Sequence, residues 1–494
     1  MTHDILIIGG GINGAAIARE AALNGLSVLL VERDDLASHT SSASTKLIHG
    51  GLRYLEYYEF RLVREALKER ERLLKAAPHL IYPMAFVLPH ENAVRPWWLV
   101  RLGLLLYDTI GGRISLPRSR GLKASDTVYR APLQRPGSGF VYSDAWVDDA
   151  RLVALNALDA AQHGAEIATR TALVSARREG DLWRARLSDG RDVSARMLVN
   201  AAGPWVADTL ALTGANARSG VRLVKGSHIV VPALFDGSHA YMLQQPDKRI
   251  VFAIAYEGDK TLIGTTDVPV EKPEDAEISA DEIEYLCAAS NRYFTKAIGP
   301  GDVLHTYSGV RPLYDDGASE AKAVTRDYVL ELDENGPKLL SVFGGKITTA
   351  RHLAEEALGK LGYPSNATRD AAFPGGGIAD FAAYLRDVRQ GYPWLGEAQS
   401  LRLARSYGTM LHDFVRTNVS EDFGGGLTAA EVDWLMDREW ARSAEDVLWR
   451  RTKLGLVLND AQLARVAAYM EGRHGENAAR NRSGDDIVAG DPIR

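Results

Sequence analysis

MTHDILIIGGGINGAAIAREAALNGLSVLLVE, residues 1–32, decides the fold. Residues 3–8 are a short apolar run suited to a fully buried strand. Gly9, Gly11 and Gly14 set out G-x-G-x-x-G directly after it. Residues 15–25 read as an Ala-rich helix, 27–31 as a second apolar strand, and Glu32 closes the unit. Each glycine has a mechanical task. Gly9 permits a tight turn, Gly11 lets the backbone approach a pyrophosphate, and Gly14 lets the helix pack closely on the sheet. The helix N-terminus offers free N–H groups and partial positive charge to phosphates. Glu32 can accept hydrogen bonds from a ribose 2′-OH and would repel a 2′-phosphate, so FAD or NAD suits the unit better than NADP. A lone Gly-rich turn is a weak signal; one set in strand–turn–helix–strand–Glu is specific.

The 494 residues suffice for two or three domains with a large core, and a net charge of −6 offers nucleic acid no basic field. Cys287 is the only cysteine, which excludes an intramolecular disulfide or a cysteine metal cluster and suits a reducing, cytoplasmic setting. No metal site is indicated. The expectation is also of no signal or transit segment and no membrane-spanning helix.

Residues 38–54 (SHTSSASTKLIHGGLRY) are dense in hydroxyls and end at Gly50-Gly51-Leu52-Arg53-Tyr54. Directly after a dinucleotide fingerprint such groups can hold phosphate and ribose oxygens, and the glycine pair permits close approach to a flat ring. A charged helix is predicted over 57–77, ended by Pro78, and a strand over 83–88. A helix over 150–163 precedes strand-like runs at 165–176 and 182–187, and Asp189-Gly190 marks a turn. Residues 197–199 lead into AAGPW (201–205), read as the last strand of the fingerprint's own sheet. Residues 221–335 are sheet-rich, with a helix over 281–294. Residues 339–343 run into GGKITT (344–349), a second strand–turn–helix unit that points its helix N-terminus at whatever lies over the sheet. From about Phe373 helices alone are expected, over 397–417, 429–442, 444–454 and 460–472. Capping boxes are legible at Thr428/Glu431, Ser443/Asp446 and Asn459/Gln462. No second fingerprint follows a strand downstream, so an additional NAD(P)H site is not expected and electrons must leave a flavin for a quinone or oxygen.

Ten stretches carry a family resemblance: GGGINGA (9–15), TSSASTKLIHGGLRYLEYYEFRLV (40–63), YSDAWVDDARL (142–152), AAGPW (201–205), KGSHIVVP (225–232), IGTTD (263–267), YSGVRPL (307–313), TRDY (325–328), SVFGGKITT (341–349) and LWRRTKLGL (448–456). Together they resemble the FAD-dependent sn-glycerol-3-phosphate dehydrogenases of the bacterial aerobic respiratory type, over nearly the whole chain. The resemblance implies an α/β, glutathione-reductase-like fold of the D-amino-acid-oxidase type, with an antiparallel-sheet substrate domain and an all-helical C-terminal cap. The FAD-binding domain is expected over 1–80, 146–220 and 336–372, a substrate or membrane-docking insertion over 81–145, the substrate domain over 221–335 and the cap over 373–494. Non-covalent FAD is implied, with oxidation of sn-glycerol 3-phosphate to dihydroxyacetone phosphate and transfer of electrons to a membrane quinone. A glycerol-3-phosphate oxidase using oxygen, an amine or amino-acid oxidase and a non-catalytic flavin-holding protein are the competing readings. A homodimer is left open.

Cofactor contacts are expected from Gly9, Gly11, Asn13, Gly14, Glu32 and Arg33, and from Thr40, Ser41, Ser42, Ser44, Thr45, Lys46, His49, Gly50 and Gly51. Ala202, Gly203, Trp205, Gly345 and Lys346 complete that set. A phosphate of about −1.5 to −2 charge calls for Arg or Lys, preferably in forked geometry. By the family pattern Arg311, Arg326 and Lys346 face the substrate, with Arg53, Tyr54 and His228 nearby. His228 is the candidate proton acceptor, on an ordinary imidazole value of about 6.5. Arg311 or Lys346 would stabilise a developing alkoxide, and Lys346 the flavin's N1–C2=O edge.

The stretch 94–123 stands apart. Its core, WWLVRLGLLLY (97–107), is apolar nearly all round and bounded by Pro96 and Gly111-Gly112. A helix here would be about 22 Å long, too short for the ~30 Å hydrocarbon core of a bilayer. It can lie in the interface, with Trp97, Trp98 and Tyr107 at headgroup depth. Arg95, Arg101, Arg113, Arg118, Arg120 and Lys123 surround it against Asp108 alone. The expectation is a peripheral seat on the inner face of the cytoplasmic membrane; an ordinary buried helix is the bland alternative.

Overall fold

The computed structural model describes residues 2–91, 95–112, 114–215, 220–315, 328–415 and 420–483. The fingerprint strand Thr2–Ile8 pairs in parallel with Val28–Val31 on one side and with Asp192–Asn200 on the other. Its residues Ile5, Leu6 and Ile7 are buried. Both faces are covered, as a continuous apolar run requires. Helices Ile12–Leu23, Asp149–Gln162 and Ala350–Leu361 pack together on one face. Helix Val206–Thr213 and the hairpin Leu173–Glu179/Leu182–Leu187 close the other. The main path of this eight-stranded sheet runs Val329–Asp333, Leu339–Phe343, Asp192–Asn200, Thr2–Ile8, Val28–Val31, Glu166–Ala168, and the hairpin joins it where Leu182–Leu187 pairs antiparallel with Asp192–Asn200.

Three sequence expectations change here. Asp192–Asn200 is the fingerprint strand's direct neighbour, not the last strand, because Leu339–Phe343 adds one more parallel strand outside it. The run expected over 165–176 is two strands, broken at Arg170, whose φ is +55°. Val329–Asp333 pairs antiparallel with Leu339–Phe343, so it belongs to this sheet and the substrate region ends before it.

The second sheet has the order Val268–Pro269, Gly220–Pro232, Lys260–Gly264, Ile250–Tyr256, Ala240–Gln244, Ile81–Pro89, Gly139–Val147, Leu47–Ile48. His305–Asp315 pairs along Gly220–Pro232 from Gly220 opposite Asp315 to Val230 opposite His305. Ile81–Pro89 and Gly139–Val147 are therefore the interior of the substrate sheet rather than an insertion beside it. What is inserted is the segment between them, which carries the helix Trp97–Ile110. Leu47–Ile48, from the hydroxyl-rich stretch, pairs with Ala145 and Trp146, so the segment after Glu32 passes from one sheet to the other.

The C-terminal region holds helices Phe381–Gly391, Glu397–Tyr407, Leu411–Phe414, Ala429–Arg438 and Asp460–Ser483. Phe381–Gly391 was not legible beforehand. The helix expected over 397–417 breaks at Gly408, whose φ of +53° no helix accommodates. A two-stranded hairpin, Asp422–Gly424 with Leu427–Thr428, interrupts the helices. All three capping positions receive their N–H: Thr428 from Glu431, Ser443 from Asp446 and Asn459 from Gln462. The segment expected as a helix over 444–454 is a wide π-helical turn, Asp446–Arg451.

Glu282 locks the helix Ala280–Asn291 onto the substrate sheet. Its carboxylate accepts from Ser279 N (2.9 Å), Ser227 Oγ (2.8 Å) and Thr266 Oγ1 (2.6 Å), and pairs with Lys225 Nζ (2.9 Å). Burial alone would raise its pKa, but the hydrogen bonds prevail and hold it down to about 2 from an ordinary 4.5. A depressed carboxylate contributes stability that is present above the unfolded value and lost as pH falls through the folded one. Glu282→Gln should therefore cost about 3 kcal/mol at neutral pH and remove part of the acid limb between pH 4.5 and about 2. Chemical unfolding across that range checks it; parallel curves for variant and wild type would contradict it.

Candidate functional site

The fingerprint closes one end of a cleft of about 450 Å³. Gly9 has φ +109°, and a Cβ there would lie 2.5 Å from the Ala201 oxygen. A Cβ on Gly14 would overlap the Gly9 carbonyl oxygen, so helix and turn meet backbone to backbone. The helix Ile12–Leu23 has Gly11 as its N-cap and no capping side chain of its own. Ile12 N–H donates to Ser41 Oγ (2.9 Å), and a Cβ on Gly11 would come within 3.0 Å of that oxygen. The turn, the Ser41 loop and the helix start thus leave a lane for a pyrophosphate and little else.

Glu32 lines the same cleft. It accepts from Gly10 N (2.6 Å) and Asp34 N (2.9 Å), while burial pushes its carboxyl up. At this end the Arg33 guanidinium stacks on Trp205 (4.0 Å), whose indole N–H donates to Glu274 (2.7 Å). At the other end Asn13 Nδ2 donates to Gly344 O (2.9 Å), and Asn13 Oδ1 is buried with no hydrogen-bond partner among the described residues. Gly345, at φ +101°, passes so close to Asn13 that a Cβ would lie 2.6 Å from Nδ2. A glycine-lined lane for phosphates, a carboxylate at one end and an orphaned buried acceptor at the other fit an extended dinucleotide with a polyhydroxylated linker.

Thr40, Ala202, Gly203 and Gly345 line this cleft, as expected from sequence, with Gly9, Gly11, Asn13, Glu32, Arg33, Ser41 and Trp205. Ser44 and Lys46 correct the expectation. Their side chains go to Asp149, Ser44 Oγ at 2.7 Å and Lys46 Nζ at 2.7 Å. Lys46 is fully buried there and also donates to Ser42 O (3.0 Å), so it shapes the loop from behind. Ser42 Oγ turns back on His39 O (3.2 Å), and Thr45 Oγ1 pairs with His228 Nε2 (3.0 Å). Sequence reading missed Thr171, Ala172, Leu173, Asp208 and Thr209, which wall the same cleft. They come from a strand crossing and a helix without glycine signals, so nothing local marked them.

Beyond Gly345 the two sheets meet. Lys346 Nζ lies over the Tyr54 ring (4.0 Å), and that ring packs on Gly51, which has φ +74°. His49 N–H donates to Thr348 Oγ1 (3.3 Å), and Gly50 N–H to Tyr107 Oη (2.7 Å). Burial, with Lys346 and Arg70 next, pushes the His49 imidazole down to about 4. Arg311 is held by Asp267 (2.6 Å) and Thr265 Oγ1 (3.2 Å), with its side chain 38% exposed. Its guanidinium passes so close to Gly226 that a Cβ there would lie 2.5 Å from Nη2. Arg326 lies outside the described residues.

His228 departs from its expectation. It is 1% exposed, stacked on Tyr307 (4.8 Å, 20°), and its ring lies against Gly264. Burial, then Arg311 and Lys46, takes its pKa well below the imidazole range, so it is neutral at neutral pH. Arg53 departs too. It lines a second groove of about 440 Å³, between the helix Trp97–Ile110 and the segment 52–60, with Nη2 3.5 Å from Tyr57 Oη.

Residues 4–351 match the model of the FAD dependent oxidoreductase family. The chain belongs to that family. As an FAD-dependent oxidoreductase it uses FAD, which the cleft just described fits from carboxylate to Asn13. Residues 366–481 match the C-terminal domain of alpha-glycerophosphate oxidase. The D-erythritol 1-phosphate dehydrogenase of Brucella abortus is 52% identical, over 95% of this chain and 98% of that one. The aerobic glycerol-3-phosphate dehydrogenase of Escherichia coli is 49% identical, over 95% and 97%. Among solved structures, the FAD complex of the glycerol-3-phosphate dehydrogenase from Bacillus halodurans superposes with a TM-score of 0.72 at 24% identity, covering 96% of this chain and 94% of that one. This FAD-dependent oxidoreductase should release its flavin on acid precipitation, and flavin left in the pellet would contradict the non-covalent reading. Gly11→Val should give colourless protein, because the added side chain fills the pyrophosphate lane against Ser41.

Proposed function

We propose that this enzyme oxidises the C2 hydroxyl of sn-glycerol 3-phosphate to the ketone of dihydroxyacetone phosphate and passes the electrons to a membrane quinone. FAD, when bound, supplies the hydride acceptor. The observation that carries the reading is that two partly open cations adjoin residues lining the FAD cleft, Arg311 beside Pro312 and Lys346 beside Gly345, on elements from different sheets, where a phosphate needs cations. Arg311 keeps part of its surface open despite Asp267, and Lys346 rests on an aromatic face rather than on a carboxylate. Burial is the larger cause that depresses the His49 and His228 imidazoles and the cations the smaller; an anionic phosphate at the site offsets the cationic part and so raises their proton affinity when substrate is bound. His49, the less enclosed of the two, is the better placed to take the hydroxyl proton; His228, sealed by Tyr307 and Thr45, positions it. Arg326 joins the phosphate site in this reading, with Tyr54 shaping its floor.

A second substrate reading has its own support. The relative at 52% is named for a four-carbon polyol phosphate, and those at 49% and 50% for glycerol 3-phosphate. Both substrates place a secondary alcohol beside a phosphate-bearing end, so one cationic site serves either.

The acceptor reading rests on the helix Trp97–Ile110. Val100, Leu104 and Tyr107 face inward, while Trp97, Trp98, Leu99, Leu102, Leu105 and Leu106 are exposed beside Tyr57, Tyr58 and Phe60. Such a patch on a surface helix marks an interaction face. Among the described residues no helix is long and apolar enough to cross a membrane. The positive rim is thinner than the sequence suggested: Arg95 is spent on Glu56, and Arg120 on Asp126, a residue just outside the stretch. Exposed Arg118 and Lys123 remain to meet an anionic surface. The groove beneath, walled by Leu99, Leu102, Leu106 and Phe60 with Arg53 and Arg95, suits an apolar ring with polar edges. This supports a peripheral seat on the cytoplasmic face of the membrane.

The test is steady-state turnover of sn-glycerol 3-phosphate and D-erythritol 1-phosphate with a quinone analogue or oxygen as acceptor. Quinone-dependent turnover supports the proposal; peroxide formation at equal rate would make the protein an oxidase, and no turnover with either a flavin-holding protein. Arg311→Ala should cost about 2–4 kcal/mol in kcat/KM on the phosphate substrate and less on plain glycerol; equal losses would mean Arg311 does not read the phosphate. With anionic liposomes at low salt the wild type should float, and Trp97→Ser/Trp98→Ser/Leu105→Ser should stay soluble with an unchanged melting point. A wild type that stays soluble would end the docking reading.

A further inference from the structure

The wall of the FAD cleft between Glu32 and Ser41 has no regular secondary structure until Thr40. Arg33, Ala37, Ser38, His39 and Thr40 all line the cleft, so the shape of this loop is the shape of the cofactor site. What holds it comes from more than 400 residues away. Asp35, at the loop's centre, is completely buried. Arg451 grips it with both Nη atoms at 2.8 Å, and Arg450 Nε donates to it at 2.7 Å. Both arginines sit on the π-helical turn Asp446–Arg451 of the C-terminal domain, whose widened backbone turns them to one side together.

The same turn reaches the loop by a second route. Asp446 accepts from Arg170 Nη2 (2.8 Å), and Arg170 N–H donates to Asp34 O (2.8 Å). A third route serves the other end of the wall. Lys453 Nζ donates to Asp148 (3.0 Å), and the adjacent Asp149 holds Ser44 N (3.0 Å) and Lys46, which in turn holds Ser42 O. Trp449, in the same turn, stacks on His305 of the substrate sheet (4.2 Å, 12°). Two buried ion pairs from the turn, a half-exposed one through Arg170, and a buried one from Lys453 two residues beyond it therefore converge on one side of one cleft.

We propose that the C-terminal domain is a cofactor clamp: Arg450, Arg451 and Lys453 are positioning residues that fix the 32–46 wall and thereby retain FAD. Burial this deep makes the contacts insensitive to salt, and removal of Arg451 leaves the buried Asp35 carboxylate with a single bond from Arg450 in place of the forked pair. The clamp acts on retention of the cofactor and not on recognition of the substrate, so it stands whichever alcohol is oxidised.

The experiment follows flavin release by fluorescence after dilution of the holoenzyme. Arg451→Met should release FAD at least tenfold faster than wild type, with the KM for the alcohol unchanged, and Arg451→Lys should fall between. Arg402→Met is the control, because Arg402 pairs with Glu431 wholly inside the C-terminal domain. It should lower the melting point without speeding release. Release from Arg451→Met no faster than from Arg402→Met would reduce the contact to general stability and overturn the proposal. Asp35→Asn/Arg451→Met leaves no unpaired charge, and it should release FAD as fast as Arg451→Met. A return to the wild-type rate would overturn the clamp in favour of mere charge compensation. If Arg451→Met yields no soluble protein, Lys453→Met carries the same test through Asp148.

Discussion

An anionic dinucleotide can lie along a parallel sheet only where backbone meets backbone without side chains between. The contact of Gly9 with Ala201, and of Gly14 with Gly9, is that constraint in this protein. It makes Thr2–Ile8 and Asp192–Asn200 neighbours, and it orients the helix Ile12–Leu23 with its open N-terminus toward Ser41. Three groups that line the cleft are then placed by the carboxyl ends of adjacent strands: Glu32 after Val28–Val31, Ala202 after Asp192–Asn200, Gly345 after Leu339–Phe343. The second sheet is reached through Leu47–Ile48, and its strand His305–Asp315 puts Pro312, next to Arg311, on the same cleft as Gly345, next to Lys346.

Charge is handled in two ways. The cations near the reacting end are kept partly free: Arg311 is half-committed to Asp267, and Lys346 lies on the Tyr54 ring. The cations that hold the architecture are buried and fully paired, as Arg451 with Asp35, Lys46 with Asp149 and Arg70 with Asp144. The last pair continues through Tyr107, whose hydroxyl bridges Asp144 and Gly50 N–H. The apolar helix on the surface is thereby tied to the glycine pair Gly50-Gly51, and of its outer face Trp97 alone among the described aromatic contacts packs inward, on Phe140.

Much of this was legible because the signals are local. The fingerprint, Glu32, the second Gly turn and two of the three capping boxes each need a few consecutive residues, and each formed; at Thr428 only the cap bond formed, since the Glu431 carboxylate goes to Arg402. The exposed apolar face of Trp97–Ile110 was legible from its length and its tryptophans, but Tyr107, expected at headgroup depth with them, is buried with its hydroxyl on Asp144. What failed depended on distant partners. Ser44 and Lys46 read as phosphate ligands until Asp149 claimed them across more than 100 residues. His228 had an ordinary imidazole value until Tyr307 and Gly264 enclosed it. Arg450 and Arg451 lay inside a family-like stretch, 448–456, but nothing tied them to Asp35, because an ion pair between residues 35 and 451 has no sequence period.

The central claim is that the FAD cleft ends in a site that reads a phosphate beside a secondary alcohol. Anaerobic mixing of the yellow protein with sn-glycerol 3-phosphate tests it most directly, because reduction of the flavin needs no acceptor. The account predicts rapid bleaching of the flavin absorption by the phosphorylated polyol and little or none by glycerol at the same concentration. Flavin that stays oxidised with every phosphorylated polyol, or that is bleached equally well by glycerol, would contradict it.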